Sequence, residues 1–210
     1  MTSKLMEHMR QLEFWFEFAS PYSYVGTWRI EEICRQAGVA LEWRPFSLGP
    51  MFERQGWNTS HFNLNPWRGN YMWRDLERLS ERYRFPWSKP SVFPRNCVLA
   101  ARVAAAFSDQ PWTPAYIREC FVANFSLDRD LNDETIVRNL LAGIGVDADA
   151  VLDAALRGER RGLLRKNTAE AIELGISGAP MCVAAGELFW GEEALEDAAA
   201  WARRHGADSL

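Results

Sequence analysis

The sequence predicts an α/β protein in which a small mixed sheet is built from a βαβ unit and a ββα unit, with a large all-helical block between them. Three observations carry this. Leu12, Phe14, Phe16 and Phe18 alternate with Glu13, Trp15 and Glu17, the period of a strand, and a helical pattern and a second alternating run follow directly. From Tyr71 to Gly175 the apolar spacing is helical throughout. Two short apolar runs about Gly186-Glu187 and a last amphipathic stretch then close the chain. The 210 residues read as a single compact unit: an α/β part over 12–48 and 175–206, and a helical insertion over 49–174.

Each element has its local cause. Tyr22, Val25, Gly26, Ile30, Ile33 and Ala37 fall at helical spacing, and Gly38 supplies the stop, so one helix is expected from Pro21 to Ala37. Val39, Leu41 and Trp43 alternate with Ala40, Glu42 and Arg44, a second strand whose right-handed crossover makes it parallel to the first. From Ser47 to about Trp67 the pattern breaks at Gly49-Pro50, Gly56, Asn58, Asn63, Asn65 and Pro66. A loop of this length in a compact domain is functional or disordered, and Met51, Phe52, Trp57, Phe62 and Trp67 supply too much apolar mass for disorder. An ordered lid is expected there. Helices are expected over Tyr71 to Tyr83, from Asn96 to near Phe107, from Thr113-Pro114, from Asn132-Asp133-Glu134, over Asp147 to Leu156 and over Glu159 to Leu174. Ala179 to Ala185 and Leu188 to Trp190 read as a hairpin, and a final helix carries Leu195, Ala198, Trp201 and Ala202 on one face.

Composition narrows the function classes. A net charge of −4 argues against nucleic acid and anionic membrane as main partners. No apolar run approaches the ~20 residues that span a bilayer. Met1 to Gln11 has charges but no signal-type apolar core, and reads as a frayed tail of a cytoplasmic protein. Cys34, Cys97, Cys120 and Cys182 are scattered without a C-x-x-C pair, and read as small buried apolar residues rather than a disulfide framework. His8, His61 and His205 stand at no metal-ligand spacing, so no metal site is expected. The 10 tryptophans exceed what a core needs, and some are expected to line a concave aromatic surface.

Two segments carry the chemistry. Phe18-Ala19-Ser20-Pro21-Tyr22-Ser23-Tyr24 ends a strand and opens a helix. Ser followed by Pro is an ordinary helix start, with Ser capping free amides and Pro fitting the first helical position. Gly175-Ile176-Ser177-Gly178-Ala179-Pro180-Met181 is the second segment. It resembles the turn of thioredoxin-like proteins in which a cis proline follows a residue that offers its backbone amide and carbonyl to a peptide. Together the two resemble the site of the 2-hydroxychromene-2-carboxylate isomerases and the kappa-class glutathione transferases, relatives of the DsbA-type oxidoreductases with a helical insertion. The resemblance runs from Phe14 to about Arg204. Its further marks are Pro45-Phe46-Ser47-Leu48-Gly49, Pro66-Trp67-Arg68-Gly69-Asn70-Tyr71-Met72, Arg74-Asp75-Leu76, Phe93-Pro94-Arg95-Asn96 and Leu188-Phe189-Trp190-Gly191.

Thioredoxin-type oxidoreductases place a reactive Cys-x-x-Cys where this chain has Ser20 and Ser23, and the Ser-Pro-Tyr-Ser-Tyr start is closer to the isomerases, so the resemblance implies a borrowed sulfur, that of glutathione. It implies a thioredoxin-like fold, a homodimer, and Ser20 as the residue that donates to the glutathione thiolate. Ala179, before Pro180, would bond the cysteinyl backbone. Asn58 and Arg68 stand nearest an Asn and a Lys of the kappa-class loop, and Arg68 would meet the glycyl carboxylate. Glu192 and Glu193 replace a polar residue and an Asp that face the γ-glutamyl amine, although two acids at a helix start also complement its dipole. The implied reaction is interconversion of a cyclic hemiketal and trans-o-hydroxybenzylidenepyruvate through thiolate addition to a small aromatic substrate, with no metal. The alternatives are a kappa-like transferase or peroxidase and a non-catalytic thioredoxin-like module that grips extended peptides. No G-x-S-x-G or G-x-G-x-x-G supports a serine hydrolase or a dinucleotide fold.

Overall fold

The computed structural model describes residues 10–206. The expected N-terminal tail lies outside them except for Arg10 and Gln11. Those two are in register with the sheet: Gln11 opens the first strand, and the Arg10 carbonyl accepts from Ala40 N at 2.7 Å. The four strands β1 (Gln11–Phe16), β2 (Ala40–Pro45), β3 (Met181–Ala184) and β4 (Glu187–Trp190) stand in the order β2-β1-β3-β4. β2 runs parallel to β1, whereas β3 pairs antiparallel with both β1 and β4. This is a thioredoxin-type sheet in an α/β fold, with the helical elements between β2 and β3 as the sequence predicts.

Both faces of β1 are covered, which explains its uninterrupted aromatic run. Leu12, Phe14 and Phe16 enter the main core, where Phe14 and Phe16 pack edge-on to Trp43, and Phe18 continues the stack onto Phe121. Trp15 points to the other face, into a smaller cluster with Phe46, Met51, Ala171, Ile176 and Met181, under the Arg44 guanidinium. All four cysteines are buried thiols. No described helix is long and apolar enough to cross a membrane.

The expected single helix after β1 is two, α1 (Pro21–Thr27) and α2 (Ile30–Ala37). Thr27 Oγ1 donates back to the Ser23 carbonyl at 2.8 Å, a bond that bends helices. Trp28 and Arg29 then tighten onto Val25 and Gly26 carbonyls, three residues back. The break swings the Arg29 side chain out toward the far end of the chain.

The lid is ordered and largely helical: α3 (Gly49–Arg54), α4 (His61–Leu64) and α5 (Pro66–Tyr83). α5 begins at Pro66, not Tyr71, because Asn65 Oδ1 accepts from the Trp67 and Arg68 amides and Pro66 occupies the first helical position. Pro66 read as a loop marker in sequence is thus a helix starter. α6 (Val98–Ala106), α7 (Thr113–Phe125), α8 (Glu134–Gly143), α9 (Ala148–Leu156) and α10 (Leu163–Glu173) follow, the last preceded by a 3₁₀ turn, and α11 (Leu195–His205) closes the sheet.

Gly69 sets the closeness of the lid. A Cβ there would stand 2.5 Å from the Phe62 carbonyl oxygen, a backbone atom that cannot swing away. Gly69→Ala, which favours an exposed helix by 0.5–1 kcal/mol or so, is here expected to destabilise by about 1–3 kcal/mol, because α4 must move off α5. A denaturant midpoint lowered at unchanged slope checks this; a raised midpoint contradicts it.

Candidate active site

A cavity of about 550 Å³ opens where the start of α1, the turn before β3, the segment after β4 and the lid converge. Its base is formed by Ser20, Pro21, Ala179 and Pro180. The Ala179-Pro180 bond is cis, as is Phe93-Pro94 on the rim.

Ser20 is the N-cap of α1, in extended conformation and almost fully buried. Its hydroxyl accepts from Ser23 N at 3.1 Å and donates to the Ala179 carbonyl at 2.8 Å. The cap consumes most of the first-turn donors that the sequence leaves free. Pro21 has no N–H, Ser23 N is held by the hydroxyl, and Tyr24 N is held by the Ser20 carbonyl. The Tyr22 amide is left without a partner among the described residues, beside the cavity. Gly178 is needed beside this turn because the Trp190 indole lies against it: a Cβ at 178 would be 2.9 Å from Trp190 Nε1. Trp190 thereby forms one wall.

Two acids behind and beside Ser20 are not apparent in the sequence as site residues. Glu17 lines the cavity and its Oε2 accepts from Ala19 N at 3.0 Å. Burial pushes its carboxyl up to about 8, with the Ala19 amide pulling weakly the other way. In the strand pattern Glu17 reads as an outward-facing residue; the chain leaves the sheet at Phe16, so the alternation no longer sets its direction. Asp75 accepts from Tyr22 Oη at 3.1 Å and pairs with Arg78 at 2.8 Å. Burial and the Asp75 charge raise the Tyr22 phenol well above its ordinary range.

The remaining predicted residues divide. Glu193 lines the cavity. Glu192 also borders it, but its carboxylate is turned to Arg29 in a nearly buried ion pair. Arg29 bonds the Glu192 carbonyl at 2.7 Å and Glu196 at 2.6 Å, and lies over the Tyr83 ring. Glu192 is therefore the strap that ties the last turn to the α1–α2 break, a pairing that no local pattern announces. Arg68 lines the cavity too, with its guanidinium in no ion pair among the described residues. Asn58 does not line the cavity, although its loop neighbours Trp57 and Ser60 do.

In sequence His61 stands at no metal-ligand spacing and gives no signal of that kind. It lines the cavity between Trp57 and Phe62, with ring centroids 6.1 and 4.0 Å away. Burial, and then the Arg68 charge, hold its imidazole below the ordinary histidine value. Its position inside the aromatic loop was the available signal.

Comparison with known proteins identifies the fold. The family model described as a DSBA-like thioredoxin domain matches residues 11–200. A 2-hydroxychromene-2-carboxylate isomerase from Sphingobium xenophagum is 27% identical over 188 residues, 89% of this chain and 95% of its own. A glutathione S-transferase kappa 1 from Caenorhabditis elegans is 24% identical over 185 residues, 83% of this chain and 80% of its own. A solved structure of a 2-hydroxychromene-2-carboxylate isomerase superposes with a TM-score of 0.76 at 20% identity, covering 88% of this chain and 90% of its own.

Glu17 gives the site a pH dependence that unfolding can read. Its carboxyl is raised from 4.5 to about 8 in the folded chain, so the folded state holds a proton that the unfolded state has released. The Glu17 contribution to stability is fully present below about pH 4.5 and is lost as pH rises toward 8. Glu17→Gln keeps an oxygen for the Ala19 amide and is expected to flatten stability over this window and to exceed the parent at pH 8. Parallel pH profiles for parent and variant in urea unfolding contradict the assignment.

Proposed function

The chain belongs to the DsbA-like thioredoxin family, and on that premise we propose that it is a glutathione-dependent isomerase of 2-hydroxychromene-2-carboxylate type. One observation carries the reading: a buried serine hydroxyl, not a thiol, caps the helix at the base of the cavity and holds the carbonyl before the cis proline. A site arranged this way has no sulfur of its own, and glutathione supplies one.

In this reading the tripeptide lies along the turn as an added strand, and its cysteinyl N–H takes the Ala179 carbonyl. The Ser20 hydrogen, released from that carbonyl, turns to the thiolate. The Tyr22 amide adds a second donor, and the helix start a favourable dipole. Charge-assisted bonds of this kind contribute ~1.5–3 kcal/mol, about one to two pKa units below the ordinary thiol value near 8.5. Glu17 helps by being neutral near pH 7, since a carboxylate in its place would oppose the thiolate. The cavity is also bipolar as a zwitterionic tripeptide requires. Glu193, with Asp75 nearby, receives the γ-glutamyl amine, and Arg68 receives the glycyl carboxylate. Glu192, engaged by Arg29, orients that acidic end.

The thiolate then adds to the conjugated substrate between Trp57, Phe62 and Trp190. Addition turns the double bond into a single bond, rotation follows, and elimination restores the sulfur and releases trans-o-hydroxybenzylidenepyruvate. A kappa-like transferase would use the same thiolate, and its relation to this chain rests on the match to a kappa glutathione transferase.

The test is turnover of the chromene carboxylate with and without reduced glutathione, against conjugation of an aryl halide. Glutathione-dependent isomerisation is expected, with Ser20→Ala lowering kcat about 10- to 100-fold. Conjugation without isomerisation selects the transferase. A parent protein with no glutathione dependence in either assay overturns both and leaves the peptide-gripping module.

A further inference from the structure

Resting on the isomerase reading, we infer that His61 is the catalytic acid–base of the ring-opening step, carrying one proton from the hemiketal hydroxyl of the substrate to its phenolic oxygen.

The placement argues for it. The substrate's flat ring needs an aromatic wall, and the cavity offers one on the lid, where His61 stands between Trp57 and Phe62. The thiolate would stand beside Ser20, and His61 lines the same cavity, so a substrate held there is within the reach of both. The other titratable groups of the cavity are mostly engaged. Glu17 holds the Ala19 amide, Tyr22 and Arg78 hold Asp75, the Arg78 guanidinium also lies over the Tyr71 ring, and Arg29 holds Glu192. Glu193 belongs to the acidic end. The His61 ring nitrogens have no hydrogen-bond partner among the described residues, so either is free to meet a substrate oxygen.

The electrostatics suit a base. Burial and the facing Arg68 of α5 favour the neutral imidazole at pH 7, the form that accepts a proton. Its ring neighbours on the loop and on α4, Trp57 and Phe62, carry no charge.

The step balances without a co-reactant. The imidazole takes the hydroxyl proton, and the electron pair of that O–H bond becomes the π bond of the new ketone. The ring C–O bond breaks, its pair passing to the phenolic oxygen. The imidazolium returns the same proton to that oxygen and is neutral again. The opened cis enone is then the acceptor that the thiolate needs.

Three variants and one added base test this. His61→Gln, still folded by its melting profile, is expected to bind glutathione within about twofold of the parent and to lose ~10²-fold or more in kcat. In His61→Ala, added imidazole is expected to restore part of kcat, and in Ser20→Ala to restore none. A His61→Gln kcat within about threefold of an active parent overturns the inference and leaves the isomerase reading standing. Loss of glutathione affinity in step with kcat, without imidazole rescue, assigns His61 to holding the lid and also overturns it. A parent that does not isomerise the substrate removes both.

Discussion

A single hydrogen atom, on the Ser20 hydroxyl, joins the two segments on which this site depends. It bonds the Ala179 carbonyl at 2.8 Å, across 159 residues of chain, while the same oxygen accepts the Ser23 amide. One small side chain thereby caps α1 and fixes that helix start against the turn before β3. A cysteine could not do the same as well, since a thiol is a weak donor and a weak acceptor. A hydroxyl in place of a thiol removes dithiol chemistry at this point and leaves a preset donor whose present acceptor is the carbonyl before Pro180. When that carbonyl is claimed by another N–H, the hydroxyl is free to stabilise an anion.

The charges around that donor are arranged to tolerate an anion there. Glu17 stands three residues before Ser20 and is kept protonated near neutrality by burial. Asp75 is offset by Arg78 and bonded by Tyr22, and Glu192 is neutralised by Arg29. The cavity-lining charges in no ion pair among the described residues are Glu193 and Arg68, one of each sign. The Arg29 pair has a second consequence. It couples the α1–α2 break to the turn before α11, so the acidic end of the cavity is held to the same helix that Ser20 starts.

The parts legible in sequence were those with local causes. The β1 alternation, the Ser20-Pro21 helix start, the turn from Gly175 to Pro180 and the hairpin after it each follow from a few adjacent residues. That the two segments meet followed from a resemblance of order and spacing, not from periodicity. What escaped the sequence depends on contacts between distant elements. The helix after β1 breaks because Thr27 bonds backward and Arg29 finds Glu192 and Glu196. α5 starts at Pro66 because Asn65 turns back onto its amides. Glu17 and His61 looked unremarkable because their chemistry comes from burial, which a linear pattern does not report. Asn58 matched only by position in a loop, and loop position alone does not decide which side chains line a cavity.

The central claim is that this protein lowers the pKa of a sulfur it does not own. The direct measurement is the thiol pKa of bound glutathione, read from thiolate absorbance across a pH titration with protein in excess. The account predicts a value one to two units below the ordinary ~8.5, and a return toward it in Ser20→Ala. An unshifted pKa in the bound tripeptide, or no binding at millimolar concentration, contradicts it.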